Sequence, residues 1–243
     1  FVRRRELPTG AAALGFNLGP ELRVEHPLNT RTEFAEGTGF YSGPSASHVV
    51  TETDGAQTGA MVMLTLPGAR RLLGRPLGEL GDRLTDPADV LGPGVVGEMT
   101  GRLTEARSEG ERVAILEQAV ARRFADGRGA PRELEWAWQR LEASAGRVQI
   151  STLARELGCS RKHLTVRFRQ EFGIAPKLFA RILRFHHAIR LLDREPPPNW
   201  AELAAMCGYA DQAHLTREVH AFTGSPPAAF LRRRLPDEGG FID

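Results

Sequence analysis

Lys162, Thr165 and Val166, and further along Gln212, Ala213, Thr216 and Arg217, stand at matching places in or beside two copies of one short pattern. The copies are HLTVRFRQEFGIAPKLF, 163–179, and HLTREVHAFTGSPPAAF, 214–230; each reads H-L-T, seven residues, then G-x-x-P-x-x-F, at an offset of 51. Lys, Gln, Arg and Thr can hydrogen-bond to base edges, and Val, Ala and Thr offer methyl surface to a thymine, which is the chemistry of major-groove readout. Arg161, Arg167, Arg169 and Lys177 surround the first copy and are candidates for phosphate contacts, which position a protein on a duplex. Between 149 and 184 there are eight basic side chains and two acidic ones, a concentration of positive charge suited to a polyanion.

Other chemistries find less support. Cys159 and Cys207 are the only cysteines, too few for a disulfide framework or a four-cysteine zinc site; they read as small buried fillers in a reduced compartment. His26 and His48 are the only histidines among the first 130 residues, so no His-rich metal centre is expected there. His163 and His214 recur at equivalent positions and are expected to hold a turn or a phosphate by a hydrogen bond. His186-His187 lacks a second ligand pair one turn on. The chain is therefore expected to be no enzyme and to need neither cofactor nor metal. No apolar run reaches the roughly 18–20 residues of a membrane span, and the start FVRRRELPTG has no signal-peptide core; a cytoplasmic protein is the expectation. The chain begins with Phe1 rather than Met, so residues upstream are expected to be missing.

These side chains need elements to hold them. Short helices are predicted at roughly 132–145, 151–157, 160–172, 176–194, 199–206, 211–223 and 226–233, stopped by Gly158, Gly173, Pro196-Pro197-Pro198, Gly208 and Gly224. ISTLARELGCSRKHLTVRFRQEFG and WAELAAMCGYADQAHLTREVHAFTG each have helix-turn-helix spacing, about 151–172 and 200–223, the second turn carrying one extra residue. At about 100° per residue, Leu164, Phe168 and Phe172 fall on one side of the first reading helix, with Lys162, His163, Val166, Arg169 and Gln170 opposite. Leu215, Val219 and Phe222 do the same in the second, leaving Ala213, Arg217 and His220 outward. PKLFARILRFHHAIRLLDRE, 176–195, is long enough for a connecting rod, with Leu178, Ile182, Phe185, Ile189 and Leu192 as a stripe against which both units pack. Two reading heads on one stiff spacer would contact successive major-groove faces, roughly 34 Å apart.

The first 66 residues are short extended pieces broken by Gly, Pro and Asn. SHVVTET and GAMVMLTL flank Asp54-Gly55, a favoured hairpin turn, and a small antiparallel sheet or half-barrel is predicted. From Pro67 the pattern becomes helical; in 108–124 Ser108 is a candidate N-cap with Glu111 as its capping-box partner, and Val113, Leu116, Val120 and Phe124 form a stripe needing a partner. ADGRGAPRE, 125–133, is the linker candidate, dividing a first domain, 1–130, from a second, 131–243. The fold class is α+β: a small antiparallel β-domain with trailing helices, then an all-α domain of two helix-turn-helix units joined by a long linker helix.

Residues 133–234 resemble the DNA-binding domain of the AraC family of transcriptional regulators, above all in CGYADQAHLTREVHAFTGSPPAAF, the doubled G-x-x-P and the linker helix. The resemblance implies sequence-specific binding of double-stranded DNA, with base contacts from Lys162, Thr165, Val166, Gln212, Ala213, Thr216 and Arg217. It also implies an N-terminal β-rich domain that binds a small-molecule effector, adjoining helices that form a homodimer, and RNA polymerase as a partner if the protein is an activator. In the first half it is carried by FNLGP, the hairpin and LPGARRLLG. Two departures stand out. Val166 occupies a place where many relatives carry Arg, which suits a thymine methyl, and Glu218-Val219-His220 replaces a more basic and aromatic run, so the second unit is expected to hold phosphate less tightly. Three alternatives are a regulator without a ligand acting through protein partners, a pure interaction module, and a DNA-repair methyl acceptor, which needs an activated cysteine.

Overall fold

The computed structural model describes residues 2–26, 30–55, 57–81, 83–235 and 240–242; the side chains of His26 and Thr30 lie outside the described residues. The strands are β1 (Val2–Glu6), β2 (Ala12–Asn17), β3 (Leu22–His26), β4 (Thr30–Phe34), β5 (Gly39–Ser42), β6 (Val49–Thr53), β7 (Gly59–Leu64), β8 (Leu84–Thr85) and β9 (Gly240–Ile242). They form two antiparallel sheets, ordered β4-β3-β6-β1-β9 and β7-β2-β5-β8. Strand β2 is buried along its length, with Leu14 and Phe16 in the core, as a central strand must be.

The expected hairpin around Asp54-Gly55 does not form. Both edges of β6 are already paired, to β1 and to β3, whereas β7 pairs with β2 in the other sheet. Gly55 N–H turns back to the Thr53 hydroxyl at 3.1 Å, and the chain crosses from one sheet to the other.

Helices follow as α1 (Leu66–Leu73), α2 (Pro87–Leu91), α3 (Pro93–Glu105) and α4 (Glu109–Asp126), with a 3-10 turn at Leu77–Glu79. Ser108 caps α4 as predicted, accepting from Glu111 N–H at 3.2 Å, but the Glu111 carboxylate reaches the Arg107 N–H instead of closing a capping box. The predicted stripe is shifted: Ile115 and Leu116 are buried, while Val113 is 54% exposed. The helix packs on α1 and α3, so its buried face is the one those two helices select.

The second half contains α5 (Arg132–Ala143), α6 (Ile150–Glu156), α7 (Arg161–Phe172), α8 (Pro176–Leu191), α9 (Trp200–Met206), α10 (Gln212–Thr223) and α11 (Pro227–Arg233). The rod α8 has 16 residues, about 24 Å, ending before the predicted Glu195. Ile182, Phe185 and Ile189 are buried as expected, joined by Phe179, Ala180, Ala188 and Leu191. Gly146 makes one close joint possible: at φ 73° it lies against α8, where a Cβ would come within 2.1 Å of the Ala180 carbonyl oxygen.

The halves are bolted together. Arg70 of α1 forms an ion pair with Glu171 of α7, and Gly78 sits so close to the end of α7 that a Cβ there would be 2.6 Å from the Gln170 carbonyl. Arg5 donates to the Thr223 carbonyl at the end of α10, 3.0 Å. His186 of α8 donates from Nε2 to the Pro8 carbonyl at 2.7 Å; a carbonyl can only accept, which fixes the tautomer. Strand β9 pairs with β1 and so belongs to the first sheet.

Candidate nucleic-acid interface

The first reading head begins with α6, whose Leu153 and Ala154 are buried. Gly158, at φ 64°, turns the chain, and the Ser160 hydroxyl caps α7 by accepting from His163 N–H at 3.1 Å. Leu164, Phe168 and Phe172 are each at most 1% exposed, which fixes the rotation of α7 and drives the other face outward. Arg161, Lys162, His163, Val166, Arg169 and Gln170 are exposed there. Thr165 flanks them half-buried, its hydroxyl donating to the Arg161 carbonyl at 2.8 Å, so its methyl and lone pairs are what remain for a ligand. Val166 holds 47% of its surface in water.

The second head repeats the construction. Gly208 turns at φ 74°, and Asp211 caps α10 by accepting from His214 N–H at 2.6 Å. The His214 ring takes the Ala210 N–H at 3.4 Å and lies edge-on to Tyr209, centroids 5.3 Å apart; this histidine does hold its turn. His163 is exposed, and no side-chain hydrogen bond of its own occurs among the described residues. Leu215, Val219 and Phe222 are buried, Gln212, Ala213, Arg217 and His220 are exposed, and Thr216 is half-buried.

Arg161, Thr165 and Lys177 meet around a groove of about 640 Å³. Arg147, Gln149, Ser151 and Arg184 line it too, with no acidic side chain. The groove runs past the start of α8 at Ala175, where unsatisfied helix amides favour anions. Sequence reasoning missed Arg147, Gln149, Ser151 and Arg184; the signal was the run RVQIS at a helix start, which places a cation and small donors beside free amides. Arg169 is exposed and outside this groove, whereas Arg167 is bonded to Glu133 of α5 at 2.8 Å.

Glu218 was expected to weaken a phosphate-holding face. It is instead 8% exposed and turned inward, its carboxylate taking a bidentate pair of bonds from Arg181 of α8, Nε and Nη2 each at 2.9 Å. That bond raises the Arg181 guanidinium above its ordinary pKa, and Arg181 also lies over the Phe222 ring at 5.2 Å. The pair fastens α10 to the rod.

The cysteines do not suit a nucleophile. Cys207 is fully buried, and burial pushes its thiol up to about 11, the reverse of what an attacking thiolate needs. Cys159 is half-buried. Among the described residues no three His, Cys, Asp or Glu side chains gather as a metal site, and no helix is long and apolar enough to cross a membrane.

A family model described as a helix-turn-helix domain matches residues 153–233. No curated protein sequence matches the chain. Among solved structures, ToxT from Vibrio cholerae is similar in fold over nearly the whole length, with 11% identity, a TM-score of 0.54, and 96% of this chain and 94% of that one covered. A second ToxT structure, bound to unsaturated fatty acid, has 10% identity, a TM-score of 0.53, and coverage of 95% and 91%. A third, bound to (E)-4-(8-methylnaphthalen-1-yl)but-3-enoic acid, has 13% identity, a TM-score of 0.52, and coverage of 96% and 94%. At such identities the likeness is one of fold. With the duplicated heads, their caps and the joining rod in place, residues 153–233 are a helix-turn-helix domain, and the whole chain shares the two-part fold of ToxT.

Proposed function

We propose that the chain binds double-stranded DNA through α7 and α10 in successive major grooves, and that its first domain, residues 1–130, senses a small molecule and thereby alters promoter occupancy. The single observation carrying the DNA part is the pair of capped reading helices whose buried stripes turn Lys162, Val166, Gln212, Ala213 and Arg217 outward, with Thr165 and Thr216 at the flanks. A helix of about 10–12 Å diameter enters a groove of about 12 Å. Arg161 and Lys177, with Arg147 and Arg184, hold a phosphate in the basic groove; Arg169 contributes further along, and Arg167 only by exchanging its Glu133 partner for DNA. The small-molecule part draws support from ToxT, which has been solved with a fatty acid and with a naphthyl butenoic acid. A homodimer through the first domain, contact with RNA polymerase at an activated promoter, and a cytoplasmic location complete the reading.

Selection of sites from a random duplex pool with the full chain, followed by salt titration of the winner, tests it. A bipartite site with half-sites one helical turn apart and log K falling steeply with log salt is the expected result. Failure to enrich any sequence would overturn the readout by two heads. Arg217→Ala is expected to cost about 1–3 kcal/mol on the selected site and relax preference at one position; an equal loss on all sequences would reassign Arg217 to phosphate.

A further inference from the structure

Away from the reading heads, a cavity of about 160 Å³ lies among β2, α1, α2, α3 and α4. Its walls are mostly apolar, Leu14, Leu72, Met99 and Val120 among them. Its size is that of a cavity that takes up benzene, about 150 Å³. Yet Arg102, Arg122 and Arg123 line it as well, against one carboxylate, Glu98. Glu98 neutralises little of this: it approaches Arg102 only to 4.0 Å and is itself 65% exposed. Arg123 donates from Nη2 to the Leu91 carbonyl at a long 3.4 Å.

An apolar space lined by three guanidiniums against one carboxylate is complementary to a ligand with one anionic end. A neutral apolar molecule would fill the walls and leave the excess positive charge unanswered. A phosphate would satisfy the arginine and leave the walls unused. We propose that this cavity binds a small monocarboxylate with an apolar body about the size of a benzene ring, its carboxylate held by the Arg123 guanidinium in the planar, two-bond geometry that arginine favours. The identity of the ligand class rests on the cavity; its role as an effector rests on the regulator reading above.

The same walls touch the reading machinery. Helix α1 gives Leu72 to the cavity and Arg70 to Glu171 of α7. Just beyond Arg123, the Arg128 carbonyl accepts from Arg70 Nη1 at 3.2 Å, and Gly127 lies so close to α1 that a Cβ would be 2.2 Å from the Arg71 carbonyl. A ligand that moves α1 against α4 therefore moves groups that hold α7.

Isothermal titration calorimetry of the full chain with octanoate and with benzoate, and with octan-1-ol as the neutral control, tests the site. Binding of at least one carboxylate at one site per chain, with the alcohol about tenfold weaker or worse, is expected. Arg123→Met should weaken the carboxylate about tenfold, and Ala119→Leu, which fills the space, should abolish binding while leaving the circular-dichroism spectrum and unfolding midpoint close to those of the parent. No binding by either carboxylate, or binding unchanged in both folded variants, would overturn the site. The same preparation is taken through DNA selection: an enriched duplex without carboxylate binding removes the cavity proposal and leaves the regulator reading, whereas carboxylate binding without any enriched duplex supports the site and removes that reading.

Discussion

Arg167 and Glu218 occupy the same turn of their respective reading helices, 51 residues apart. Each is tied to the helix that precedes its own unit, Arg167 to Glu133 of α5 and Glu218 to Arg181 of α8, so the two heads are braced by one strut with its charges exchanged. Glu218→Ala leaves a half-buried guanidinium without its acceptor and is expected to cost about 1–3 kcal/mol in urea denaturation. The double exchange Arg181→Glu with Glu218→Arg, which copies the polarity of the first unit, should recover much of that loss; no recovery would mean that side-chain shape, not charge pairing, sets the strut. The outward residues were legible in the sequence because a regular helix turns about 100° per residue and the apolar stripes are unbroken. The struts were less so. Both positions lie about 60° from the stripe, at its flank, where a charge can serve solvent, DNA or an internal partner, and only the position of α5 or α8 decides between them.

At the scale of elements, the helices of the second half agree with expectation to within a few residues, most firmly where α7, α9 and α10 start at side-chain caps and where α7 and α10 stop at left-handed glycines. The sheets agree less well. Alternation identifies β7, with Met61 and Met63 exposed and Leu64 buried, but alternation says which face is buried and not which strand lies alongside. Asp54-Gly55 was a good turn signal joined to the wrong inference about pairing. The rod α8 offers its own test. His187, near its end, has its pKa held below the ordinary histidine range by burial first, and then by Arg190, Arg147 and Arg194. The folded protein thus binds a proton at His187 less readily than the unfolded chain does, so stability is expected to fall as pH drops through about 6.5. His187→Gln should flatten that part of a plot of thermal midpoint against pH; an unchanged slope would assign the effect to other groups.

For the molecule as a whole, the two halves share a continuous core and are joined at both reading heads, through Arg70, Gly78 and Leu77 at α7 and through Arg5 at α10. Strand β9 adds a third tie. Phe241 is fully buried, edge-on to Phe230 of α11 and under the Arg5 guanidinium at 5.2 Å. Phe241→Ala is expected to cost about 3–5 kcal/mol and to lower amide protection in β1 and α11 together in hydrogen exchange; loss confined to one of them would mean that the halves do not unfold as a unit. None of this tie was legible in the sequence, because three residues carry no periodicity and their partner strand lies at the opposite end of the chain. Strand β9 also gives folding a direction in time. During synthesis the edge of β1 waits unpaired while both helix-turn-helix units are made, so the first sheet is completed only by a strand that emerges after them. A chain cut short after the second head would carry every candidate base-reading residue on a molecule whose first sheet lacked an edge strand.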